Sequence, residues 1–162
     1  YPLPEAQLDR FMFKLLVDYP SQEQEGQILD KYIKGHDHRR LDTYGLQAVL
    51  TGEQIIQIQR AIVNVIVEPT IVQYITGIVA KTRNWGVVEI GASPRASVSM
   101  LLASRALAAC RGRNFVTPDD VKQLAPWVLR HRIRLNPEAE IEGTNVETVI
   151  QDILESVEAP QP

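Results

Sequence analysis

One cysteine, Cys110, is all that the 162 residues contain. A single thiol excludes an internal disulfide and a thiolate metal site, and points to a cytoplasmic, metal-free setting. No uninterrupted apolar run approaches the roughly 18 to 20 residues that a membrane-spanning helix needs. Lysine and arginine are absent from Leu135 to Pro162, a stretch that holds Glu138, Glu140, Glu142, Glu147, Asp152, Glu155 and Glu158. The chain lacks an initiating methionine and a signal peptide and opens at Tyr1, which suggests a piece of a longer polypeptide.

What is present describes a globular chain: 44% hydrophobic, 23% charged, formal net charge −3. Seven of the 20 acidic residues lie in the tail, so 17 basic face 13 acidic residues over 1–134, an excess of +4. The densest basic run, Arg130, His131, Arg132 and Arg134, is too short for a nucleic-acid footprint.

Local signals predict a mostly helical chain. Pro4 and Glu5 suit a one-turn helix. Phe11 to Tyr19 alternates Phe11, Phe13, Leu15 and Val17 against Met12, Lys14, Leu16 and Asp18, the pattern of a buried strand. A lone strand cannot satisfy its own backbone, so its sheet partners are expected upstream. Ser21 and Gln24 read as a capping box opening a helix to about Ile33, and the segment from Gly35 to Leu50 reads as a loop and boundary. Thr51 caps a helix to about Asn64 with Ile55, Ile58, Ile62 and then Ile66 on one face. Pro69 opens the next, to about Arg83, with Ile71, Ile75, Ile78, Val79 and Thr82 aligned. Val87 to Ile90 suits a short strand. Ser93 and Pro94 open an Ala-rich helix that Gly112 stops. Thr117 and Pro118 open another with Val121, Leu124, Val128 and Leu129 inward. The chain then extends to Asn136, and a last helix runs from about Asn145 to Ser156.

Two arginines stand out. Arg95 occupies the first turn of its helix, where a cation opposes the dipole at a cost of about 0.3 to 1 kcal/mol. Either it turns to water or pairs with an acid such as Glu89, or it faces an anion together with the free N–H groups of the helix start. Arg10 follows Asp9. Either the two form a surface ion pair worth at most about 1 kcal/mol, or Arg10 is presented to a neighbouring subunit's ligand.

Other constellations are weaker. His36, Asp37 and His38 lie beside Arg39 and Arg40 without further ligands and read as a polar loop. His131 reads as a helix-end residue favoured by the dipole, Cys110 as a small packed helix residue, and Trp85 and Trp127 as packing anchors.

The stretch Tyr1-Pro-Leu-Pro-Glu-Ala-Gln-Leu-Asp-Arg-Phe11 resembles the segment after the sensor 1 strand of MoxR-type AAA+ ATPases. Gly91-Ala-Ser-Pro-Arg-Ala96 resembles their sensor 2 motif, and Phe115 to Ile133, with Val-Thr-Pro-Asp-Asp-Val and Leu-Arg-His-Arg-Ile, is similar to their lid. The resemblance implies a mainly α fold, a helical bundle forming the AAA+ lid, preceded by one strand and a helix from the end of an α/β P-loop NTPase core. Residues 1–45 would be the end of that core and 46–162 the lid with its acidic C-terminal helix. Arg10 matches the arginine finger, acting in trans. Arg95, with Ser93 and Pro94, matches the sensor 2 site for the ATP phosphates in cis.

The resemblance further implies ATP and Mg2+ in the full-length protein and a ring of neighbouring subunits, a hexamer, hydrolysing ATP. That cycle would serve chaperone-like maturation or metal-cofactor insertion in partner proteins, with a von Willebrand factor A domain protein as a partner. The chain departs from the family in two respects. No glycine is followed by lysine, so Walker A is absent, and no apolar strand ends in Asp-Glu to hold magnesium. Tight ATP binding or hydrolysis by this stretch alone is therefore not expected. The alternative is a stand-alone helical interaction module that never meets ATP.

Overall fold

The computed structural model describes residues 3–40 and 44–160. They form two compact units, Leu16–Ile58 and a larger one made of Tyr1–Leu15 with Gln59–Pro162.

The smaller unit is built on α2 (Gln22–Ile33), after the one-turn helix α1 (Glu5–Leu8) of the larger unit. Its start is the expected capping box: the Ser21 N–H donates to Gln24 Oε1 at 2.8 Å, and the Gln24 N–H donates to Ser21 Oγ at 3.3 Å. The helix α3 (Gly52–Ile62) begins here behind Thr51, whose Oγ1 accepts from the Gln54 N–H. The apolar face expected to be buried is not covered among the described residues, since Ile55 and Ile58, like Ile66 beyond, are exposed.

The larger unit is a helical bundle. Its main helices are α4 (Pro69–Arg83), α5 (Pro94–Cys110), α6 (Pro118–Leu129) and, after the short α7 (Pro137–Ile141), α8 (Val146–Ser156). α5 packs on α4 and α6, and α8 closes on α4 and α6. Ile78, Met100, Leu129, Ile150 and Ile153 are fully buried between them. Each such side chain contributes about 1.5 to 3 kcal/mol by leaving water. The inward positions expected on α4 and α6 are all buried. Strands β1 (Val88–Ile90) and β2 (Arg134–Leu135) pair antiparallel, with Val88 opposite Leu135.

Caps fix the ends. Ser93 and Thr117 accept from the N–H groups of Arg95 and Asp120, with proline at the first position of each helix. Beyond α5, Gly112 takes φ 72°, a left-handed conformation that favours glycine. Cys110, the last residue of α5, is exposed rather than packed.

One expected element is absent. Phe11 to Tyr19 forms no ladder among the described residues. Its backbone groups turn elsewhere: the Lys14 N–H donates to the Trp127 carbonyl at 3.0 Å, and the carbonyls of Phe11, Met12 and Lys14 accept from side chains beyond α6. Phe13 meets the Trp127 ring edge-on, with centroids 6.2 Å apart. An alternating pattern gives a strand only where a neighbouring strand offers the hydrogen bonds. The described segment instead borrows the end of α6, while Leu15, Leu16, Val17 and Tyr19 stay exposed.

Candidate functional site

The turn before Arg95 is anchored to the end of α4. The Thr82 hydroxyl donates to the Val79 carbonyl at 2.7 Å and accepts from the Ala92 N–H at 2.9 Å. The Arg83 guanidinium donates to the Ala92 carbonyl at 3.0 Å. Gly91 permits this approach, because a Cβ there would lie 2.6 Å from the Arg83 Cα. With Ala92 and Ala96 wholly buried on either side, Ser93, Pro94 and Arg95 are held in one geometry. The Arg95 side chain is exposed and has no partner among the described residues. The Glu89 pairing does not form, since Glu89 accepts from Arg134 Nε at 3.1 Å.

Arg10 lies on the turn leaving α1, where the Arg10 N–H donates to the Gln7 carbonyl and the Phe11 N–H to the Leu8 carbonyl. Its side chain too is exposed and without a partner among the described residues. The pairing with Asp9 is likewise corrected. Asp9 Oδ1 accepts from Arg132 Nε at 2.9 Å, and its carboxylate accepts from the Ser93 hydroxyl, 2.9 Å to Oδ2. Asp9 thus joins the Arg10 turn to the N-cap of the Arg95 helix.

Arg132 and Asp9 are the residues that sequence reasoning passed over in these roles. The Arg132 side chain is 1% exposed, and its NH2 nitrogen donates to the Asp9 and Phe11 carbonyls at 2.9 and 2.7 Å. Burial presses this guanidinium below its ordinary pKa, Asp9 holds it up, and the charge of Arg95 adds to the downward push. The one advance signal was Arg132's place in Leu-Arg-His-Arg-Ile. Beside it, His131 Nε2 lies 2.9 Å from the Phe11 carbonyl, so Nε2 carries the proton, and Nδ1 is buried without a partner. Burial first, then Arg132 and Lys14, push its pKa down against the Phe11 carbonyl and Asp9. The net shift is downward, so burial and the neighbouring cations favour the neutral ring over the charged one expected at a helix end.

A cleft of about 460 Å³ opens between α1 and the residues after α6, lined by Asp9, Ser93, Arg130, His131, Arg132 and Arg134 among others. Its arginines are engaged, Arg130 with Glu147, Arg132 with Asp9, and Arg134 with Glu5 and Glu89. Beside this cleft, Arg10 and Arg95 are exposed guanidiniums without a partner among the described residues, and so can meet an outside anion. His36, Asp37 and His38 lie in the smaller unit. There His38 Nδ1 meets the Tyr32 hydroxyl at 2.7 Å, and no group of three metal-ligating side chains occurs among the described residues.

Residues 80–153 match the family described as AAA lid domain. Over 99% of its length the chain is 38% identical to the chaperone MoxR1 of Mycobacterium tuberculosis, covering 43% of that protein. The chain thus carries an AAA lid domain and is similar over nearly its whole length to MoxR-type AAA+ proteins. The bundle of α4 to α8 is its helical lid, following the end of a core. The chain is also 42% identical over 160 residues to the Bacillus subtilis protein YeaC, 99% of this chain and 48% of YeaC. It thus spans about half the length of the curated relatives it matches. A crystal structure from Cytophaga hutchinsonii, of a protein designated an ATPase candidate, superposes with a TM-score of 0.85 at 31% identity, covering 99% of this chain and 50% of that one. No helix among the described residues is long and apolar enough to cross a membrane.

Proposed function

We propose that this chain supplies the arginine finger and the sensor 2 arginine of an ATP-hydrolysing ring, with residues 1–45 ending the nucleotide-binding core and 46–162 forming the lid. Arg95 reads the terminal phosphates of the subunit's own nucleotide, aided by the start of α5 that Ser93 and Pro94 set. Arg10 reaches the nucleotide of the next subunit. The reading is carried by one observation: both guanidiniums are exposed and without a partner among the described residues, while the acids nearest them in sequence are held by Arg132 and Arg134. The residues fit a polyphosphate, since guanidiniums and helix N-termini both bind phosphate oxygens.

ATP with Mg2+ supplies the transferable phosphoryl group, on whose oxygens charge develops during transfer. Arg95 and Arg10 stabilise that charge from fixed positions, which costs no reorganisation when the reaction occurs. The phosphate cradle and metal site belong to sequence outside this chain, which contains no Gly-Lys pair. The work driven is maturation of partner proteins or metal-cofactor insertion by a hexameric ring, with a von Willebrand factor A domain protein as partner. Its support is the resemblance of the motifs and the chaperone in the name of MoxR1.

The test is Arg95→Ala in a full-length protein carrying this chain. ATP turnover should fall at least about tenfold, or about 1.4 kcal/mol of transition-state stabilisation, with an unchanged melting curve. Wild-type turnover would contradict the reading.

A further inference from the structure

We propose that Asp9 and Arg132 form a clamp that positions Arg10 and, through Ser93, makes the Arg10 turn move as one body with the start of the Arg95 helix. The inference rests on the reading of Arg10 and Arg95 as nucleotide-facing. It adds a device by which the nucleotide state sensed in one subunit sets the finger offered to the next.

The geometry of Arg132 carries the argument. Its Nε takes the Asp9 carboxylate, one terminal nitrogen takes the carbonyls of Asp9 and Phe11, and the other takes those of Val128 and Met12. Carboxylate and carbonyls alike belong to residues 9–12, except Val128 in α6. Arg10 sits inside that stretch, so the backbone on both sides of the finger is tied to the lid while its side chain stays free. His131 adds a further contact to the Phe11 carbonyl.

Burying a guanidinium is costly, and packing alone would be served as well by an apolar side chain. A planar fork with five donors fixes several acceptors at once, which an apolar residue cannot do. On its other side Asp9 accepts from the Ser93 hydroxyl, and the same oxygen caps the Arg95 N–H at 3.2 Å. From Arg95 to Arg10 the path therefore runs through one hydroxyl and one carboxylate. Arg95 faces the nucleotide of its own subunit and Arg10 that of its neighbour, so a displacement at the first is carried to the second.

The experiment is a double-mutant cycle on ATP turnover in a full-length protein carrying this chain. Asp9→Asn should lower kcat at least about fivefold and move KM for ATP less than about twofold. On an Arg10→Ala background the same substitution should change kcat less than about twofold, because its effect passes through Arg10. Losses that multiply, a KM that rises in step, or wild-type kcat in Asp9→Asn would overturn the clamp. Wild-type kcat in Arg10→Ala would instead overturn the functional reading beneath it. A distance measurement reads the coupling directly. With spin labels at the exposed Gln7 and Val98 and native cysteines replaced, the distance should be narrow and unchanged by a non-hydrolysable ATP analogue. It should broaden in Arg132→Gln, or in Asp9→Asn where that variant fails to fold. A wild-type distance that shifts with nucleotide would overturn the proposal.

Discussion

Arg132 Nε donates to Asp9 Oδ1 at 2.9 Å across 123 residues of sequence. The carboxylate that would have neutralised Arg10 is thereby spent on a buried guanidinium, and Arg10 is left exposed. Glu89 is likewise taken from Arg95, here by Arg134, whose side chain is itself half-exposed. At each position the acid nearest in sequence is engaged elsewhere, and the cation is exposed without a partner among the described residues.

Gly91→Ala should damage the Arg95 turn without touching Arg95. The new Cβ would meet the Arg83 backbone at 2.6 Å, where neither chain can yield cheaply. A loss of about 1 to 3 kcal/mol is expected, seen as a lower melting temperature together with reduced turnover. An unchanged melting curve would contradict the packing described.

Asp120 is wholly buried and accepts from Arg111, Arg113 and both the N–H and hydroxyl of Thr117. Asp120→Ala removes these bonds, and with them the carboxylate half of the α6 capping box, while Thr117 Oγ1 can still accept from the backbone N–H of residue 120. Arg111 and Arg113 keep some contact with water, so the expected cost is about 2 to 4 kcal/mol rather than more. Chemical denaturation checks it.

The same carboxylate sets an acid limit. Burial pushes its pKa up, but Arg113 and Thr117 outweigh burial and hold it below the usual carboxylate range. Its contribution is complete above the unfolded value of about 3.9 and is lost as pH falls through the lower folded value. The acid limb of the stability curve should therefore shrink in Asp120→Asn.

His131 acts at milder pH. Its folded pKa lies below the unfolded value of about 6.5, so below that pH the unfolded chain binds the extra proton and stability declines. Melting temperature should fall as pH drops from about 7.5 to about 5.5, and His131→Gln should flatten that slope. Equal slopes in the two proteins would show that the ring is not held neutral.

Much of this architecture was legible because its signals are local. Ser93-Pro94, Thr117-Pro118 and the Ser21-Gln24 box announce helix starts within four residues, and the structure has each of them. The Phe11 to Tyr19 alternation misled because a strand needs a neighbour that the described residues do not offer, and Ile55 and Ile58 lack a covering surface for the same reason. The five-residue α7 is too short to carry a period. The partners of Asp9 were illegible for a different reason. Sequence proximity favours Arg10, and only the folded bundle brings Arg132 close enough, with better geometry, to take the carboxylate.

The most direct test of the central claim mixes two inactive subunits of the full-length protein. One carries Arg10→Ala with its own phosphate cradle intact, and the other has its Walker lysine replaced and Arg10 intact. If Arg10 serves the neighbouring site, mixed rings should hydrolyse ATP faster than either subunit alone. Mixed rings that form and show no restored turnover would contradict it.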